Sequence, residues 1–167
     1  EIISIKSMEV HGGEIFNMCY TRILKEFCLL VLSFLYISVG VKHFTNPDFF
    51  LAIMPPYVPY HKFMVNLSGV LEIVFGLMMI FRKTRFYGCW VIILLLIAVF
   101  PANIYLYNSE IPQNLLSITK HEALIRLPYQ FPLLLFAFWH SKKKSSISLD
   151  FLCFLFFPPT IYYFLTL

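Results

Sequence analysis

The feature that most limits what this chain can fold into is a set of long, almost uninterrupted apolar blocks. They run from about Ile23 to His43, Met64 to Phe81, Phe86 to Tyr107 and Leu127 to His140. A helix needs about 20 such residues to cross a hydrocarbon core about 30 Å thick. Inside that core every backbone N–H and C=O must be satisfied within the segment, and a helix does so. Ordinary soluble domains carry about 25% charged residues. Here 13% are charged and 59% are hydrophobic, with a mean hydropathy of +0.76. So little polar surface cannot cover a soluble globule. The expected fold class is therefore all-α: an integral membrane four-helix bundle.

A fifth apolar stretch, Leu149 to Leu167, carries Pro158 and Pro159 at its centre. Adjacent prolines break an interior helix, so the stretch is read as an interfacial or irregular tail, at most a partial or fifth membrane segment. The organisation expected is an N-terminal extension without regular structure over 1–19, a four-helix transmembrane domain over 20–141, and a basic boundary with an apolar tail over 142–167. Met8 and Met18 are candidate translation starts. The extension lacks the charged start, apolar stretch and small-residue cleavage site of a secretory signal.

Basic residues set the expected orientation. Lys6, Arg22, Lys25, Arg82, Lys83, Arg85 and Lys142, Lys143 and Lys144 fall on one side, nine of the thirteen Lys and Arg residues. Lys42, Lys62, Lys120 and Arg126 fall on the other. Both ends of the four-helix core are thus expected in the cytoplasm, with the protein in the cell (inner) membrane. Lys142–Lys144 would meet anionic headgroups at the boundary. The first outward loop has a helix-start signal at Thr45, Asn46 and Pro47 and a stop at Pro55. The short apolar helix between them should lie in the interface. Tyr57 and Tyr60 suit an aromatic belt, and a lid over a polar site is the sharper alternative.

Ionisable groups at membrane depth are costly and point to function. Glu72 lies about 12 Å into the second helix at 1.5 Å per residue. It shares a face with Ser68 and Gly76, whose small side chains let another helix approach. Tyr36, Gly40 and His43 share a face of the first helix. Asn103 and Tyr107 are four residues apart just after Pro101, and Arg126 and Gln130 are four apart near the start of the fourth helix. Hence His43, Glu72, Asn103, Arg126 and Gln130 are expected to line one outward-opening pocket, with Asp48, Pro55, Pro56 and Tyr57 in the loop above it. Three readings stand open. One is a structural network. A second is a ligand or quinone-headgroup site. The third is a proton relay through Glu72 and His43.

Other signals are weak. Cys19, Cys28, Cys89 and Cys153 show no ligand spacing, so neither zinc nor a disulfide framework is expected. No nucleotide-binding, serine-hydrolase or zinc-protease motif occurs, and no catalytic residue is assigned. Asn66-Leu67-Ser68 forms a glycosylation sequon but lies within the second helix.

Several strings resemble the DoxX family of small membrane proteins. They are Gly40-Val41-Lys42-His43-Phe44, Asn46-Pro47-Asp48-Phe49-Phe50, Ile53-Met54-Pro55-Pro56-Tyr57, Ser68-Gly69-Val70-Leu71-Glu72-Ile73, the run Leu96 to Tyr105, and Arg126-Leu127-Pro128 with Gln130. The resemblance spans about residues 20 to 141. It implies an accessory, non-catalytic membrane subunit linked to quinone-dependent redox chemistry. The rival functions are a membrane-protein chaperone or assembly factor, and a small-solute or proton carrier. The expected partners are the lipid bilayer, a membrane redox partner or a client membrane protein. Homo-oligomer formation stays open, and no nucleic acid is expected.

Overall fold

A computed structural model describes residues 21–166, whose regular structure is helix alone, with no strand. Its elements are α1 (Ile2–Thr45), described from Thr21 on, α2 (Pro47–Ala52), α3 (His61–Ile80), α4 (Arg85–Asn108), α5 (Glu110–Leu116), α6 (Lys120–Ser141) and α7 (Ile147–Leu165). The expectation for the extension over 1–19 lies outside the described residues.

The long helices pack in series: α1 on α3, α3 on α4, α4 on α6, and α6 on α7. Short connections make successive helices antiparallel. One end of the molecule gathers the Lys25–Glu26 stretch of α1, the α3–α4 turn and the α6–α7 turn. Glu26 of α1 receives two hydrogen bonds from Arg85 there, at 3.0 and 2.8 Å. Lys25 donates to Ser145 at 3.0 Å. We call this the basic end. The opposite end carries α2 and α5, which touch each other.

Among the described residues, four helices are long and apolar enough to cross a membrane: Thr21–Thr45 of α1, α3, α4 and α7. The expected count is met with a changed membership. The tail is not broken at its prolines; α7 runs through Pro158 and Pro159 as one helix. The prolines, both on the exposed side of α7, remove two successive N–H donors, a loss that membrane helices tolerate where local adjustments satisfy the freed carbonyls. Cys153, Phe157, Thr160 and Ile161 lie one or two turns apart and bury one stripe of α7, so packing holds the helix across the interruption. Thr160 Oγ1 also donates to the Phe156 carbonyl at 2.7 Å.

Conversely, α6 is long but less apolar, because Arg126, Gln130, Pro128 and Pro132 interrupt it. It starts at Lys120, well before Leu127, on a capping box in which the Thr119 hydroxyl and Glu122 exchange bonds with each other's backbone N–H. It is packed by both α4 and α7, and it buries Gln130, Phe136, Trp139 and His140. Polarity is tolerable in a helix with neighbours on two sides. The outer surface is strongly apolar: Phe34 is 68% exposed, Leu94 62% and Phe151 68%. A continuous surface of that kind is not stable in water.

Candidate functional site

The helix pair α1 and α3 is drawn together by glycine. A Cβ on Gly40 would stand 2.8 Å from the Gly69 carbonyl oxygen, and one on Gly69 would stand 2.7 Å from His43 Cβ. Contact this close lets two backbones touch. It also sets His43 beside Glu72, since a Gly40 Cβ would meet Glu72 Cβ at 3.0 Å. Both polar residues are buried, at 4% and 9% exposure.

His43 Nδ1 lies 3.4 Å from Glu72 Oε2 but 3.0 Å from the Val39 carbonyl oxygen. A carbonyl only accepts, so in that bond Nδ1 carries the proton and gives it to Val39. Glu72 Oε2 is left buried without a hydrogen bond. The pair is therefore close but open. Further along the same face of α1, Tyr36 OH and Ser33 Oγ are also buried and unbonded.

The cover over this pair comes from α2. The Phe50 ring stacks on His43, with centroids 3.5 Å apart and planes at 21°. The chain folds this way because Pro47 starts α2 one residue after Asn46 ends the turn from α1. Asp48 and Pro56 are exposed, and Tyr57 is 73% exposed. Pro55 is buried, and its carbonyl accepts from His61 Nε2 at 3.1 Å. The loop residues expected above the pocket thus shape the turn, while Phe50 does the covering.

The other site residues form a second pair. Asn103 Nδ2 donates to Gln130 Oε1 at 2.9 Å, and Gln130 Nε2 donates to the Leu96 carbonyl. Pro101 supplies no N–H to the turn below it, and the Gln130 amide donates into that loosened turn. A narrow cavity of about 180 Å³ beside Gln130 is walled by Leu96, Ile97, Phe100, Phe131 and Leu134. Arg126 stands apart from both pairs, 5.2 Å over the Phe49 ring. No hydrogen bond or ion pair among the described residues joins the two pairs or joins Arg126 to either. The five residues occupy three places rather than one shared network.

Sequence reasoning passed over the basic end. Arg85 holds Glu26 and also donates to the Met79 carbonyl at 3.0 Å and the Ile80 carbonyl at 3.4 Å, while Thr84 Oγ1 donates to Met78 at 2.9 Å. These are the carbonyls that the last turn of α3 leaves without partners. Trp139 Nε1 donates to Asp150 Oδ1 at 2.6 Å, and the Ser145 hydroxyl donates to the same oxygen. The Lys25 ammonium lies 5.0 Å above the Trp139 ring. A lone Asp in a Phe-rich tail was the available signal. Cys28, Cys89 and Cys153 are buried and free.

At the other end, the Thr119 backbone N–H and hydroxyl each bond Glu122 at 2.7 Å. They hold its carboxyl below the usual carboxylate range.

Over residues 32–141 the chain matches the model of a family described as a domain of unknown function (DUF8561). No curated protein and no solved structure matches it.

Proposed function

The chain belongs to the DUF8561 family, and we propose that it is a multi-pass membrane protein acting as an accessory, non-catalytic subunit that receives the headgroup of a membrane-soluble quinone at His43 and Glu72. The observation that carries this reading is Glu72 Oε2, a buried carboxylate oxygen with no hydrogen bond. An unmet acceptor in a low-dielectric interior costs about 1–3 kcal/mol. It persists where a guest supplies the missing bond. A hydroquinone hydroxyl donates to such an oxygen. An apolar groove of about 530 Å³, along Leu30, Phe34 and Ser38 of α1 and closed by Ile161 and Leu165 of α7, suits an isoprenoid tail.

The reading takes the long helices as a transmembrane bundle, with α2 in the interface and α6 crossing behind the more apolar helices. It takes the basic end as cytoplasmic, by the excess of Lys and Arg there, and the membrane as the cell membrane. The DoxX resemblance of the loop and second-helix strings belongs to the same proposal.

The test is a titration of the protein in lipid nanodiscs with a short-tailed ubiquinol analogue, followed by intrinsic fluorescence. We expect saturable binding, weakened about tenfold by Glu72→Gln, as loss of one charge-assisted hydrogen bond implies. Absence of saturable binding, or equal binding by the variant, would overturn the assignment.

A further inference from the structure

Arg126 is the one described guanidinium near the α2 end, and no described residue forms an ion pair with it. It sits about 9 Å from the start of α6 at 1.5 Å per residue, and its side chain is half-buried. Its natural partner is Glu122, one turn earlier on the same helix, where i, i+4 spacing ordinarily forms an ion pair. That carboxylate is already committed: both Thr119 bonds end on Glu122 Oε2. The described residues give Arg126 no ion pair and no hydrogen bond, and its Nε is fully buried without a partner.

One ring lies directly under the guanidinium. Phe49 of α2 lies 5.2 Å beneath it. Tyr129 of α6 and Tyr163 of α7 stack on each other at 4.1 Å and 15°. An aromatic face attracts a cation but accepts no directed N–H bond from a forked guanidinium. An unneutralised charge in such apolar surroundings is expensive. Five N–H donors in a fixed fork match one kind of partner well: a tetrahedral or planar oxyanion.

The geometry points to a phosphate-binding site at Arg126, above the Phe49 ring, that takes a phosphorylated amphiphile or free phosphate. This site is separate from His43 and Glu72 and does not depend on the quinone reading. It depends on the sequestration of Glu122 by the capping box, which is a property of the α6 start.

The test uses the full chain in detergent, with native mass spectrometry counting retained lipid. The probes are phosphatidylglycerol, chain-matched diacylglycerol without phosphate, and inorganic phosphate as competitor. We expect one tightly held phosphatidylglycerol and no retained diacylglycerol. Arg126→Gln should weaken retention about tenfold, and Arg126→Lys less, because a point charge replaces the fork. Competition by inorganic phosphate assigns the site to the phosphate group alone. Retention unaffected by it assigns the site to a lipid headgroup. Equal retention of the two lipids by wild-type protein overturns the proposal, as does undiminished retention by a folded Arg126→Gln. If Arg126→Gln fails to fold, the wild-type contrast between the two lipids still decides.

Discussion

The two ends of the bundle handle polar groups in opposite ways. At the basic end most buried polar groups are spent on the protein itself, with His140 Nε2 an exception. Arg85 satisfies Glu26 and two α3 carbonyls, and Asp150 takes bonds from both Trp139 and Ser145. At the α2 end, Glu72 Oε2 and Arg126 Nε are buried and unspent. A satisfied network fastens helices together, whereas an unsatisfied one reserves its donors and acceptors for something else. The basic end is the clasp of the fold, and the α2 end is where a guest would bind.

Substitutions can break that comparison. The largest effect is expected for Arg85→Ala, which strands Glu26 and uncaps α3 in one step. A loss of about 3 kcal/mol is expected for removing one partner of a pair so placed, read by denaturation in detergent micelles. A change under a third of that would show that the clasp holds nothing. Next comes Trp139→Phe, which keeps the ring and deletes the donor to Asp150. About 1.5 kcal/mol should be lost, the usual worth of a hydrogen bond to a charged group, and α7 should become more open to limited proteolysis. Unchanged proteolysis would mean that apolar packing alone retains α7.

The smallest stability effect is expected for Glu72→Gln, with less than about 1 kcal/mol lost, since Oε2 makes no bond to break. A loss as large as that of Arg85→Ala would place Glu72 with the clasp and sink the distinction between the two ends.

Much of this was legible from residue order. Helical spacing placed Gly40 with His43 on one stripe of α1 and Glu72 with Gly76 on one stripe of α3; that these stripes face each other, with Gly40 against Gly69, came from the structure. The start of α2 at Pro47 was equally local. The division of the five candidate residues into His43 with Glu72, Asn103 with Gln130, and Arg126 alone was not. Depth along a helix is readable from a sequence, but azimuth relative to distant helices is set by packing. Nor did sequence spacing decide whether Glu122 turns back to Thr119, three residues away, or forward to Arg126, four away, because a helix allows both.

By itself the sequence determined that the chain is helical, too apolar for water, and polar at particular depths. These follow from composition and a period of 3.6 residues, which are properties of neighbours along the chain. The tertiary structure decided which helix is shielded and which is not. It made α6 the sheltered, polar helix between α4 and α7, and it carried α7 unbroken through Pro158 and Pro159. The reason is physical: buried polar groups in α6 are tolerable because α4 and α7 flank it, and α7 stays one helix because its Cys153–Ile161 stripe packs on α6; both contacts exist only once the chain has packed.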